Sequence, residues 1–123
     1  MKTEAEPVRI RRYADMFSAL GMEARLRILR TLLSAHPEGL VVGELQEALG
    51  IPASTLSHHL EKLRHEGLVT MRREQRFLRY AADTGMLQEL VGFLFQECCS
   101  RTGEVPSSIL VQIRKSTRPS RKE

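Results

Sequence analysis

The chain has 123 residues, 41% of them apolar, with two cysteines and a formal charge of +4. That length holds one modest core. No apolar run reaches about 18 residues and residues 1–6 lack the order of a secretory leader, which excludes a membrane span and leads to the expectation of a cytoplasmic protein. Two thiols in a reducing compartment do not make a stabilising disulfide, leaving metal, metalloid, redox or packing roles for them.

The positive charge is uneven. Residues 1–100 hold thirteen side chains of each sign, whereas residues 101–123 hold six basic and two acidic ones. Inside the neutral body, residues 53–82 carry Lys62, Arg64, Arg72, Arg73, Arg76 and Arg79 against Glu61, Glu66 and Glu74. A locally basic face is the footprint of phosphate contact, and a merely solvated charged face has the same composition.

Residues 1–8 read as a loose arm. Over residues 9–20, Tyr13, Met16, Phe17 and Leu20 fall at helical spacing and predict a first amphipathic helix. Gly21 interrupts it, and a second helix is predicted over residues 23–34, with Leu26, Ile28, Leu29, Leu32 and Leu33 as its broad apolar face. His36, Pro37, Glu38 and Gly39 form the exit, because Pro37 disfavours helix at the preceding residue and Gly39 tolerates positive φ. A short third helix follows over residues 42–49.

Gly50, Ile51 and Pro52 make a tight turn into a fourth helix starting near Ala53 and ending at Gly67. Leu56, Leu60 and Leu63 set its buried side and leave Ser54, Thr55, Ser57, His58, Glu61 and Lys62 facing outward. Two helices joined by a short Gly-containing turn are a helix-turn-helix, whose second helix can enter a major groove. Residues 68–73 and 76–81 then read as a β-hairpin around Glu74 and Gln75; lacking Gly or Asn, this connection argues for a longer or distorted tip.

A last helix is predicted from Thr84 to Cys98. Met86, Leu87, Leu90, Val91, Phe93, Leu94 and Phe95 place apolar groups almost all round it, as expected where a second copy covers what one small chain cannot. The expected architecture is therefore mainly α with a small β-hairpin: a winged helix-turn-helix over residues 9–100, dimerising through its first and last helices, with a basic, largely disordered tail over 101–123.

This order of elements, with the run Ala24 Arg25 Leu26 Arg27 Ile28 Leu29 and then Ser57 His58 His59 Leu60 through Leu63 to Glu66 Gly67 Leu68 Val69, resembles the arsenic-repressor (ArsR/SmtB) family of metal and metalloid sensors over roughly residues 10–99. The resemblance implies a homodimer that holds an inverted-repeat DNA operator and releases it when an inducer binds. Some members carry a thiolate site on the third helix, where this chain reads Glu44 Leu45 Gln46 Glu47 Ala48; others bind zinc through histidines on the last helix, which here has none. What remains is the pair Cys98 and Cys99, similar to the vicinal cysteines of the arsenic and antimony sensors. The third cysteine those relatives often add is absent from Thr102, Gly103, Glu104 and Val105.

Soft thiolates suit trivalent arsenic or antimony, a methylated arsenical or a heavy divalent metal. Adjacent helical residues point about 100° apart, so both sulfurs reach one atom only where the helix frays or each subunit contributes. An intrachain disulfide is disfavoured, since neighbouring Cα atoms lie about 3.8 Å apart against roughly 4.4–6.8 Å for bridged cysteines. A bridge between subunits and plain interface packing stay open.

For DNA, the outward Ser54, Thr55, Ser57 and His58 are assigned to the groove, with Lys62, Arg72, Arg73, Arg76 and Arg79 on phosphates or the minor groove. His59 lies nearer the buried side and reads as structural. An enzyme is not expected, as no phosphate loop, catalytic metal motif or nucleophile with its base is present. A protein-interaction module on the same fold is the remaining rival; it would show no steep salt dependence toward DNA.

Overall fold

The computed structural model of the chain describes residues 6–96. Among these, five helices and three strands follow the order α1 (Glu6–Leu20), α2 (Glu23–Ser34), β1 (Leu40–Val41), α3 (Val42–Leu49), α4 (Ala53–His65), β2 (Val69–Glu74), β3 (Phe77–Ala82) and α5 (Thr84–Phe95). The chain divides into two compact units, one ending at Asp83 and one beginning at Thr84.

In the first unit α2 is central, packing against α1, α3, α4 and β3. The core is built by Met16 and Ala19 of α1, Ile28 and Leu32 of α2, Leu45 of α3, and Leu56, Leu60 and Leu63 of α4, all essentially withdrawn from solvent. At roughly 1.5–3 kcal/mol for each fully buried large apolar side chain, the three leucines of α4 alone hold that helix firmly against the body. The i, i+4, i+7 spacing that predicts this inward stripe therefore also fixes which face of α4 looks outward.

The turn from α3 into α4 depends on Gly50, which adopts the left-handed conformation at φ 68° and donates its N–H to the Gln46 carbonyl at 2.7 Å. No L-residue but Asn or Asp takes that geometry cheaply. At the other end of α4, Gly67 (φ 80°) closes a paired cap: its N–H bonds the Arg64 carbonyl at 2.9 Å and the Leu68 N–H bonds the Leu63 carbonyl at 3.0 Å. Leu68 and Leu63, the apolar pair this motif calls for, are both fully buried.

The sheet is antiparallel with order β1-β3-β2. Val69 pairs with Ala82, Met71 with Tyr80 and Glu74 with Phe77, while Leu40 and Val41 add a short third strand opposite Tyr80 and Arg79. Val69, Tyr80 and Ala82 share the face turned to the core and are buried.

Three sequence expectations are corrected. Residues 6–8, read as part of a loose arm, belong to α1. Pro7 sits in the first turn, where its missing N–H costs nothing, and Glu6 pairs with Arg9 at 3.2 Å. Each hairpin strand lies one residue later than expected, because the Leu68 N–H is spent on the helix cap. The wing tip is a tight two-residue connection rather than a long one: Gln75 takes φ 58°, a conformation uncommon outside glycine, and Glu74 and Phe77 close the ladder around it. A six-pair ladder and the ion pairs described below outweigh the modest cost of one left-handed residue.

In the second unit α5 ends at Phe95, with the Gln96 N–H bonding the Phe93 carbonyl at 3.2 Å. Cys98 and Cys99, with the tail over 101–123, lie outside the described residues. No helix among the described residues is long and apolar enough to cross a membrane.

Candidate nucleic-acid interface

Because Leu56, Leu60 and Leu63 point inward, Ser54, Thr55, Ser57, His58 and Lys62 are all exposed on the outer face of α4. They form a row of short hydroxyls, one imidazole and one ammonium. Hydroxyls donate to or accept from any base edge and the His ring adds directional bonding, whereas the ammonium is a phosphate ligand.

Two acids trim this face. Glu61 takes a forked bond from Arg64, at 2.9 and 3.1 Å, and Tyr80 of β3 donates its hydroxyl to the same carboxylate at 3.4 Å. These bonds, led by Arg64, hold the Glu61 carboxyl below its ordinary range. Burial first, and then the neighbouring Glu61 charge, pushes the Tyr80 hydroxyl up, so it stays a donor. A strand side chain thereby braces the outer face of α4. Lys62 stands 4.0 Å from Glu66, and at that distance it remains available to a phosphate.

His59 is the polar member of the buried set, 8% exposed. Its Nδ1 lies 3.4 Å from Arg25 Nη1, and Arg25 Nε donates to the Ala19 carbonyl at 2.7 Å. The structural role expected of His59 agrees with this placement. Its partner 34 residues away was invisible in the sequence.

The wing arginines divide into two kinds. Arg72 donates twice to Glu74, at 2.7 and 3.0 Å, and Arg79 donates to the other oxygen of Glu74 at 2.9 Å and to the Gly39 carbonyl at 3.3 Å. The register sets Arg72 directly opposite Arg79, a repulsive pair that one carboxylate between them relieves. The Arg79 and Arg72 bonds hold Glu74 below the usual carboxylate range. Arg79, assigned from sequence to DNA, is thus half-buried and engaged by Glu74 and by the Gly39 carbonyl just before β1. Arg73 and Arg76 are exposed and have no acidic partner among the described residues. The sequence signal for this division is Glu74 itself, a lone acid among four arginines, but reading it required the register.

Among the described residues no group of three or more His, Cys, Asp or Glu side chains is placed to hold a metal ion. In particular His58, His59 and His65 do not converge with acids on one centre. The nine DNA-directed residues predicted from sequence fall on one helix face and one hairpin, both carried by the first compact unit. A braced helix-turn-helix with an outward polar face and a basic hairpin beside it is the working part of a winged-helix DNA-binding protein.

Comparison with known proteins agrees. A family model described as "Helix-turn-helix domain" matches residues 20–72. Among curated relatives, the nodulation protein NolR of Rhizobium meliloti is 35% identical over 66% of this chain and 64% of its own length. The transcriptional activator HlyU of Vibrio cholerae is 34% identical over 68% of this chain and 75% of its own. The biofilm growth-associated repressor of Xylella fastidiosa is 30% identical over 82% and 86%. The solved structure of the Vibrio cholerae HlyU superposes with TM-score 0.59 at 33% identity, covering 74% of this chain and 96% of that one. The solution structure of Mb0332 from Mycobacterium bovis, described as a "homodimeric winged helix-turn-helix DNA-binding domain" and "a possible ArsR-family transcriptional regulator", does so with TM-score 0.59 at 29% identity, covering 80% and 93%. The chain belongs to the ArsR family of winged helix-turn-helix transcriptional regulators, a class that binds DNA and is not enzymatic.

Proposed function

We propose that this chain is a homodimeric repressor that holds an inverted-repeat operator and lets go when a thiol-seeking ligand occupies Cys98 and Cys99. The observation that carries the DNA half is the outward row Ser54, Thr55, Ser57 and His58 on α4, flanked by the uncompensated Arg73 and Arg76. Two copies fit this reading. Homodimeric Mb0332 has the same fold, and two recognition helices set about 34 Å apart reach successive major grooves. The exposed apolar side chains of α1, Val8, Ile10 and Phe17, supply surface for such a pairing.

The inducer half rests on the chemistry of the thiols. Cys98 and Cys99 are the chain's only two sulfhydryls and are adjacent in sequence. Two thiolates complete the exchangeable positions of a methylated trivalent arsenical; arsenite or antimonite takes a third donor from the other subunit or from a small thiol. NolR, HlyU and the Xylella repressor carry no metalloid in their names, so the metalloid reading leans on the cysteines and on the family resemblance. Release by ligand needs only about 2–3 kcal/mol of coupling between the two sites.

The test is fluorescence anisotropy on the DNA upstream of the protein's own gene, titrating arsenite, antimonite, methylarsenite, cadmium and peroxide. Wild type is compared with the Cys98→Ser, Cys99→Ser double variant. Release by a trivalent metalloid that disappears in the variant supports the reading. Release by peroxide alone replaces it with a redox switch, and release by none overturns the sensor while leaving the DNA-binding repressor.

A further inference from the structure

The tip of the wing carries an aromatic side chain that the fold does not use. Phe77 is the first residue of β3, paired with Glu74 across the two-residue connection Gln75–Arg76, and it is 53% exposed. Its face of the hairpin is the one bearing Thr70, Arg72, Glu74, Arg79 and Ala81, opposite the face whose Val69, Tyr80 and Ala82 enter the core. Its exposure is therefore not an incompletely covered edge of the core. Arg76, next to it in the connection, and Arg73, paired with Leu78 on the opposite face, are the wing cations with no acid among the described residues, while Arg72 and Arg79 are bound up by Glu74. A bare phenyl ring at the wing tip, next to the uncompensated Arg76 and with the uncompensated Arg73 on the hairpin's other face, suits a polyanion with an apolar interior, and disfavours a neutral or basic protein surface.

Resting on the DNA-binding reading above, we infer that Phe77 enters the minor groove flanking the base pairs read by α4 and wedges against a base step there, with Arg73 and Arg76 on the adjoining phosphates. The minor groove, about 6 Å wide, admits the narrow tip of a hairpin but not a helix. An apolar wedge partly unstacks the step it meets and kinks the duplex, at a cost that depends on the step. Pyrimidine–purine steps such as TA unstack most easily. Phe77 is thus a specificity residue that acts through deformability and makes no hydrogen bond to a base edge.

The experiment uses the full chain and the DNA upstream of its own gene, footprinted to locate the bound segment. Two duplexes are then made that differ only at the step under the wing tip, TA in one and AA in the other, with 2-aminopurine beside it. Wild type is expected to bind the TA duplex roughly tenfold more tightly and to raise the 2-aminopurine signal as the step unstacks. Phe77→Ala is expected to lose both the preference and the fluorescence change while keeping the same salt slope. Phe77→Leu, which keeps an apolar wedge, retains most of each. Arg73→Ala and Arg76→Ala are expected to lower the salt slope and leave the step preference. A Phe77→Ala protein that keeps the wild-type preference and fluorescence response overturns the assignment. Wild type that shows neither sequence preference nor salt dependence on any segment overturns the DNA-binding reading as well.

Discussion

Arg25 and His59 meet through a single 3.4 Å contact between Nη1 and Nδ1, while the same guanidinium donates through Nε to the Ala19 carbonyl. Arginine has no acceptor, so Nδ1 receives the bond and the ring carries its proton on Nε2. One side chain thus links the end of α1, the start of α2 and the inner side of the recognition helix. Burial first, then the Arg25 charge, then His58, lowers the His59 pKa below its ordinary 6.5.

The sign of the resulting pH effect follows directly. Unfolding frees His59 to take a proton near its ordinary pKa, while the folded chain resists protonation, so the unfolded state binds more protons as the pH falls through about 6.5. Stability is full above that pH and declines as it drops toward the depressed folded value. Thermal unfolding between pH 5.5 and 7.5 should show this slope in wild type and lose it in His59→Gln. Glu61 and Glu74, both held below the ordinary 4.5, are already ionised across this window and add nothing to it. Arg25→Lys loses the planar fork that serves two acceptors and should lower the melting temperature even at pH 7.5.

Gly39 and Gly67 make a matched pair for substitution. Both have φ near 80°, but a Cβ on Gly39 would stand 2.1 Å from the Tyr80 carbonyl oxygen, whereas one on Gly67 meets nothing within 4 Å. Gly67→Ala should cost only the backbone strain, about 1 kcal/mol. Gly39→Ala adds a backbone collision that separates β1 from β3, and is expected to cost about 3 kcal/mol or more. Chemical denaturation of the two variants side by side decides it.

The two kinds of wing arginine should separate by salt. Removing a phosphate contact reduces the slope of log affinity against log salt by about one. Arg73→Ala and Arg76→Ala are each expected to do so without lowering the melting temperature. Arg79→Ala should instead lower the melting temperature, because the Gly39 carbonyl loses its side-chain donor and Glu74 keeps only Arg72, and change the slope less.

Ser57→Ala and His58→Ala should act on selectivity. Each is expected to cost about 1–3 kcal/mol on the preferred operator and much less on unrelated DNA, since neither side chain is part of the core. Lys62→Ala should weaken both kinds of DNA alike. Competition binding with operator and random duplexes measures the difference.

What the sequence made legible was what one helix or one turn decides alone. The leucine spacing of α4, the Gly50 turn and the Gly67 exit follow from local geometry, so the outward row from Ser54 to Lys62 is readable in the sequence. Partners set by register or by tertiary approach could not. Glu74 draws in Arg72 and Arg79 only once β2 and β3 are aligned, Arg25 reaches His59 only across two helices, and β1 is a two-residue strand too short to show any alternation. Pro7 is a local signal for the earlier start of α1, because proline is favoured in the first turn of a helix.

The pairing of Leu40 with Tyr80 spans forty positions of chain and joins the wing to the segment between α2 and α3. Without it the hairpin would be an appendage able to fray by itself, as isolated two-stranded hairpins do in water. With it, β3 is the central strand of the sheet, paired along its length with β2 and, at Arg79 and Tyr80, with β1, which runs directly into α3. Amide exchange in β3 should therefore follow the whole-domain opening seen in α2 and α4. Reader helix and wing then present themselves to the duplex as one prearranged body, and little ordering entropy remains for the hairpin to lose when it binds.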